Sequence, residues 1–334
     1  MLLPGCYVAH LADGQLRLLR AARPIDLVLA DPATDASVRD ALELVDPVLR
    51  AARDLGLDVD GQYRTYAEWP GDRVVTTVVA TRPGEVEPAG FWFPIFGRLP
   101  YKGFFDVARA EAEASRLRQD GLDTCVVPVS AYSTLGWFAD PVTTPLLRGG
   151  VDRFVETLFH ELVHATVFVA GDAGLNEGVA TFLGQEAAIR FFAERAGHDA
   201  AEVVRARVAD ERAVARELGA LRARVAALYQ SPPTEQPLDE RREALSAATR
   251  AALSALPLRQ LDPVRVAAAA RLNDACLALA ATYHTDLDVY AEQLAARGGR
   301  VSGFVAAVRA AADTDDPRHA LGLPPAASRP DAAR

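Results

Sequence analysis

The sequence is short of lysine, of net positive charge and of long hydrophobic runs. Lys102 is the only lysine among 36 basic residues, and the formal net charge is −9 at pH 7. This balance argues against a nucleic-acid partner, because phosphate binding needs a surplus of Lys and Arg on one face. No segment approaches the ~20 uninterrupted apolar residues that a transmembrane helix needs, so no membrane span is predicted.

The sequence also has few cysteines. Cys6, Cys125 and Cys276 are odd in number and far apart, so neither a disulfide framework nor a CxxC metal pair is predicted. Cys125 and Cys276 lie in apolar runs and are expected to be ordinary core residues. Cys6 follows Leu-Leu-Pro-Gly, which looks like the end of a bacterial lipoprotein signal without its basic n-region and most of its apolar h-region. Two alternatives stay open: a cytoplasmic protein as the sequence is written, or a cell-envelope lipoprotein anchored through Cys6 if the true start lies upstream.

Residues 1–150 mix predicted strands and helices. RVVTTVVAT, from Arg73 to Thr81, is β-branched and predicts a strand, and GFWFPIFG, from Gly90 to Gly97, could be its partner. Asp106 can cap a helix that ends near Gly121. LDTCVVPVS then predicts another strand, which leads into the loop AYSTLGWFADP.

Residues 151–312 have an almost entirely helical pattern. Apolar residues at three- and four-residue steps predict a long amphipathic helix, and SPPTEQP separates it from a second helix, which gives a helical hairpin over about 200–256. Further helices are expected up to residue 312. The tail 313–334 is rich in Pro, Ala, Asp and Arg and is expected to be disordered. We therefore expect a mostly helical α+β protein with a helical lobe behind its strands.

The stretch FHELVHATVFVAGDAGLNEGVATF, from Phe159 to Phe182, contains an HExxH motif. His160 and His164 are one helical turn apart, so both imidazoles leave the same helix face and can reach one zinc ion. Glu161 lies between them, where this motif carries its general base. The alternative, core histidines satisfied by hydrogen bonds, would bury several polar groups in an apolar helix at a high cost in free energy.

A catalytic zinc site needs a third protein ligand and an open position for water. The turn residues Gly171, Asp172 and Gly174 predict a break after the first helix, with a second helix starting near Leu175. Glu177 would then enter the site from the first turn of that helix. The other downstream candidates, His198, His284 and His319, lack comparable helical context.

LNEGVATF after HELVH is similar to the NExxA motif that follows HExxH in gluzincin metallopeptidases. More broadly, the chain resembles the "putative aminopeptidase" family of bacterial zinc metallopeptidases, often described as envelope lipoproteins. The stretches that carry the resemblance are GCYVAHLADGQLRLLRAARPI, LPYKGFFD, VSAYSTLGWFADP, FHELVHATVFVAGDAGLNEGVAT and RLNDACLALAATYH. The resemblance implies a zincin-like fold, zinc ligands at His160, His164 and Glu177, and a catalytic Glu161.

The expected reaction is peptide hydrolysis, and its oxyanion needs a hydrogen-bond donor beyond the metal. Tyr132 and Tyr283 are the two favoured donors, with His284 and Tyr101 behind them. Asn176 is expected to bond near the metal or to cap its helix.

An aminopeptidase also needs a carboxylate for the substrate's free amine, and Asp140, Glu156 and Asp172 are candidates. A zinc endopeptidase and a non-catalytic envelope binding or assembly protein that retains the zincin fold remain as alternatives.

Overall fold

The secondary structure is mostly helical with small sheets, which confirms the predicted mostly helical α+β class. The computed structural model describes residues 4–93, 97–131, 139–232 and 234–325. The strands are β1 (Ala22–Pro24), β2 (Thr65–Ala67), β3 (Val75–Thr81), β4 (Phe91–Phe93), β5 (Gly97–Leu99), β6 (Tyr101–Phe104), β7 (Asp123–Val129) and β8 (Val142–Thr143). The helices are α1 (Pro4–Ala21), α2 (Ile25–Ala30), α3 (Ala36–Leu42), α4 (Val45–Asp54), α5 (Val107–Gln119), α6 (Thr144–Leu147), α7 (Val151–Thr166), α8 (Ala173–Ala196), α9 (His198–Gln230), α10 (Leu238–Ser254), α11 (Pro263–Ala269), α12 (Asp274–His284), α13 (Leu287–Ala296), α14 (Val301–Ala312) and α15 (Pro317–Ala320).

The main sheet has the order β6–β3–β7 and is antiparallel throughout. The predicted strand β3 is at its centre, but the predicted partner is wrong. Residues Phe91–Phe93 pair with β5 in a separate two-stranded sheet, and β3 pairs with β6 and β7 instead. Because β4 pairs with β5, both edges of β3 are left to β6 and β7. In a second sheet, with the order β1–β2–β8, β1 directly follows α1 and β8 directly precedes α6 along the chain.

The two faces of the main sheet contact different helices, because successive side chains of a strand point to opposite sides. Val78 and Phe104 pack against α5. Asp106 caps α5 as predicted, since its carboxylate accepts hydrogen bonds from the backbone N–H groups of Ala108 and Arg109. On the other face, Val79 packs against α12. This arrangement puts α12 between the sheet and the helices α8 and α9.

Helix α12 is attached to β7 at its N-terminal end. The side-chain amide of Asn273 donates to the Asp123 carboxylate at 2.9 Å and to the Thr124 carbonyl at 2.9 Å. A disulfide joins Cys125 of β7 to Cys276 of α12, with a Cα–Cα distance of 5.0 Å. The expectation that these cysteines are ordinary unpaired core residues is therefore wrong. The two residues are 151 positions apart, so only the packing of α12 on the sheet brings them together.

The helical part packs α7 against α8, α8 against α9, and α9 against α10. Residues 313–325, which were expected to be disordered, contain α15. Arg318 of α15 forms ion pairs with Asp286 at 2.7 Å and Asp172 at 3.3 Å, so this part of the tail is attached to the start of α8. Among the described helices, none combines the length and the apolar character of a transmembrane segment.

Candidate active site

Helix α7 presents two histidines from one turn of a buried helix. Its apolar positions are buried over successive turns, namely Phe154, Val155, Leu158, Phe159, Leu162 and Val163. The helix ends at Thr166, before the predicted break at Gly171, and Val167 adopts an extended conformation. The Thr166 hydroxyl donates to the Leu162 carbonyl at 2.6 Å and accepts from the Asp58 backbone N–H at 2.8 Å. These bonds to the end of the helix fix where the chain leaves it.

The link from α7 to α8 is held by two polar side chains. Asp172 is the N-cap of α8, and its carboxylate accepts a hydrogen bond from the Leu175 backbone N–H at 2.9 Å. Asn176 therefore does not cap the helix. Its side-chain amide instead accepts from the Val169 N–H and donates to the Val169 carbonyl, both at 2.8 Å. Glu177, the next residue, is the fifth residue of α8 and so lies at the start of the second turn, because the helix begins at Ala173, two residues earlier than the predicted start near Leu175.

The side chains of His160, His164 and Glu177 meet in one place; we call these three residues the metal-ligand cluster. The Nε2 atoms of the two histidines are 3.1 Å apart. Glu177 Oε2 lies 3.3 Å from His164 Nε2 and 3.4 Å from His160 Nε2. Three potential ligand atoms this close together could all bind one metal ion.

The metal-ligand cluster fits a divalent metal ion. Tetrahedral coordination with bonds of ~2.0–2.1 Å puts ligand atoms about 3.3 Å apart, which agrees with the observed triangle. Burial by itself would raise the pKa of Glu177, but the charges and hydrogen bonds of His164 and His160 lower it well below the usual range. Burial likewise opposes the charged form of His164, yet Glu177, with a smaller contribution from Glu161, raises the pKa of His164 overall. The carboxylate thus stays ionised, which is the form that binds a metal.

Close packing of α8 on α7 supports this cluster. A Cβ atom at Gly184 would lie 3.1 Å from the Glu156 carbonyl oxygen and 3.2 Å from the His160 backbone nitrogen. Any larger residue must therefore push α8 away from the turn that carries His160. We expect Gly184→Ala to lower the free energy of unfolding by about 1–3 kcal/mol, as overpacking does in other cores, measured by urea denaturation.

Gly219 provides the matched control for this substitution. It lies in α9, and a Cβ atom there would have no neighbour within 4 Å. Gly219→Ala should raise the free energy of unfolding by about 1 kcal/mol, because alanine is the better helix former. Equal effects at both positions would contradict a steric role for Gly184.

Glu161 is half-buried beside the metal-ligand cluster. Among the residues that the structure describes, its Oε2 atom has no hydrogen-bond partner. Tyr63 is nearby: burial raises the pKa of Tyr63, and the negative charges of Glu161 and Asp140 raise it further. Tyr63 has φ +55°, a left-handed conformation that is rare for a tyrosine and often marks a functional site. Its side chain was not singled out from the sequence, since no local pattern reveals its backbone conformation.

Two more tyrosines line the site. The Tyr283 ring stacks on the His160 ring, with centroids 6.3 Å apart and an interplanar angle of 23°. The Tyr101 hydroxyl donates a hydrogen bond to Glu177 Oε1 at 3.2 Å. Burial raises the pKa of both phenols, and the charge of Glu177 raises it further. Both therefore remain protonated donors at neutral pH. Tyr101, a minor candidate from the sequence, is thus in direct contact with a cluster residue.

Two further donors were predicted, Tyr132 and His284. Tyr132 lies outside the described residues. His284 follows Tyr283 at the end of α12 and lines a cavity of about 380 Å³ between α9, α12 and α13. Burial lowers the pKa of His284, which favours the neutral imidazole.

The three candidate carboxylates for a substrate amine differ in their surroundings. Glu156 binds Arg207 at 2.6 Å, and Asp172 binds Arg318 at 3.3 Å, so an arginine already neutralises each of them. Asp140 is buried, and its backbone carbonyl accepts a hydrogen bond from the Tyr63 N–H at 2.9 Å. The negative charge of Asp140, like that of Glu161, raises the pKa of Tyr63.

Comparison with known proteins agrees with this site at the level of the family. No curated protein and no solved structure matches the chain. The sequence profile of the family described as "Putative aminopeptidase" matches residues 6–321, which include the metal-ligand cluster and all three tyrosines around it. The chain therefore belongs to that aminopeptidase family.

Proposed function

We propose that this protein is a zinc-dependent peptidase that removes residues from the free N-terminus of peptides. The observation that carries the proposal is the convergence of His160 Nε2, His164 Nε2 and Glu177 Oε2 within 3.1–3.4 Å of one another. Two imidazoles and one carboxylate are the ligand set of catalytic zinc sites that keep a position for water. Membership of a family named for aminopeptidase activity supports the same reaction.

Glu161 is the general base in this proposal. When bound, zinc would lower the pKa of water toward ~7 and polarise the scissile carbonyl. Glu161 accepts the proton of the attacking water and then delivers it to the nitrogen of the leaving amine, which balances the hydrolysis. The Oε2 atom without a hydrogen-bond partner among the described residues is available to take that proton.

Tyr283 is the proposed donor to the oxyanion. Its ring stacks on that of His160 at an interplanar angle of 23°, which supports a role for its phenol beside the metal-ligand cluster. A pre-positioned donor of this kind stabilises the charge that develops on the carbonyl oxygen in the transition state. Tyr132 stays a predicted second donor.

For the substrate amine we propose Asp140. The negative charges of Asp140 and Glu161 both raise the pKa of Tyr63. A substrate whose scissile bond lies at Glu161 would therefore have its positively charged amine attracted by the carboxylate of Asp140. This position would restrict cleavage to the first peptide bond.

The proposal is tested with the purified full chain. One zinc per chain is expected by elemental analysis, together with turnover of free-amine aminoacyl reporters and little turnover of their N-acylated counterparts. Equal rates on both reporters would indicate a zinc endopeptidase. Bound zinc without any turnover would indicate a non-catalytic binding or assembly protein, and a chain that binds no metal would overturn the proposal.

A further inference from the structure

The two carboxylate oxygens of Glu177 have different partners. Oε2 faces both histidines, at 3.3 and 3.4 Å from their Nε2 atoms. Oε1 accepts the hydrogen bond of the Tyr101 hydroxyl at 3.2 Å. Since a carboxylate can turn about its terminal bond, this division of roles needs a group that holds one oxygen in place.

Tyr101 is on a rigid element that is separate from both metal-binding helices. It is the first residue of β6 and lies directly opposite Val79 of β3, which in turn lies opposite Cys125 of β7. Cys125 is bonded to Cys276 of α12. The tyrosine also packs with this cross-linked group in one hydrophobic cluster. A row of residues across the whole sheet therefore sets the position of the hydroxyl.

The same group reaches the opposite side of the site through α12. Tyr283 follows Cys276 by seven residues, which is about two helical turns, so both leave nearly the same face of the helix. The stacking of Tyr283 on His160 thus depends on the same packed layer as the contact of Tyr101 with Glu177. The sheet and α12 hold one tyrosine on each of two cluster residues.

We propose that Tyr101 is a positioning residue for Glu177: its hydroxyl holds Oε1 so that Oε2 alone is presented to the metal. This inference rests on the proposed function, because it requires the metal-ligand cluster to bind zinc. Hydrogen bonds to ligand carboxylates orient them, and losing such a partner typically weakens metal binding by ~10–100-fold.

Tyr101→Phe is the direct test, because it removes one oxygen and retains the ring that packs on the sheet. Zinc affinity is measured by competition with a chromophoric chelator. We expect the dissociation constant of Tyr101→Phe to rise ~10–100-fold over that of the wild type. In the cobalt-substituted protein, the visible absorption spectrum should change as well, since the second carboxylate oxygen becomes free to approach the ion.

Two tyrosine variants serve as controls. Tyr283→Phe retains the ring that stacks on His160 and should keep the zinc affinity of the wild type while losing turnover. Tyr66→Phe removes a buried hydroxyl that bonds to Thr144 Oγ1 at 2.8 Å, in the other sheet, and should change neither the zinc affinity nor the cobalt spectrum. Circular dichroism and melting of the metal-free proteins establish that all three variants fold.

Each outcome decides a separate point. Zinc affinity and a cobalt spectrum equal to those of the wild type in Tyr101→Phe would overturn the positioning role while leaving the zinc site intact. A wild-type chain that binds no zinc would refute the proposed function instead. An equal loss of affinity in Tyr66→Phe would assign the effect to general destabilisation and would also overturn the inference.

Discussion

Glu161→Gln is expected to lower kcat for a free-amine reporter by roughly 10²–10⁴-fold, the usual contribution of a general base. Glutamine has nearly the same shape as glutamate, but its amide cannot accept the proton of the attacking water. The metal-ligand cluster does not include Glu161, so the variant should bind zinc as the wild type does. The measurement is steady-state kinetics on protein of known zinc content.

Glu194→Gln is a suitable control for this variant. Glu194 lies on α8 and is mostly exposed, with its carboxylate paired to Arg190 at 2.8 Å. Removing its charge should leave kcat unchanged. If Glu161→Gln kept the rate of the wild type at full zinc content, Glu161 could not be the base. If it lost zinc, the residue would have a structural role that the geometry does not indicate.

Removing the Cys125–Cys276 disulfide is expected to lower the free energy of unfolding by about 2–5 kcal/mol. The upper end of this range applies, because the bond joins residues 151 positions apart and so restricts a very long loop in the unfolded chain. The double variant Cys125→Ala, Cys276→Ala should show the loss in urea denaturation. Such a bond persists in oxidising compartments, which favours the cell-envelope alternative over the cytoplasmic one.

The reduced wild type provides the comparison for the double variant. With excess reductant, the wild type should unfold at nearly the urea concentration of the variant, and the variant should not respond to reductant. Reduction should also raise the intact mass of the wild type by two hydrogen atoms. If the mass and the unfolding midpoint of the wild type are the same with and without reductant, the disulfide does not form.

The arrangement of the metal-ligand cluster could be predicted because it depends on local geometry. His160 and His164 are four residues apart, so they lie on the same face of the helix. The turn at Gly171–Gly174 then reverses the chain, so that α8 packs against α7. Both helices, and the approach of Glu177 to the two histidines, could therefore be predicted from the sequence. The exact end of α7 was harder to predict, because Thr166 ends the helix through a hydrogen bond with Asp58, more than a hundred residues earlier in the chain.

The surroundings of that cluster could not be predicted, because they depend on contacts between distant segments. Tyr101 meets Glu177 only through the register of β6 on β3, and the sequence favoured a different partner for β3. The disulfide was missed for a related reason, since an odd number of widely spaced cysteines gives no pairing. Tyr63 depends on a backbone angle that no residue pattern in its vicinity indicates.

Helix α12 belongs to the last quarter of the chain but packs between the main sheet and the helices α8 and α9. This position limits which truncated fragments of the protein can fold. A fragment ending near residue 150 would lack the helix that covers one face of the main sheet, and a fragment ending near residue 270 would also leave α8 and α9 without their neighbour. Both truncations would expose apolar surface to water and invite aggregation. A fragment for expression should therefore retain α12, Asp274–His284.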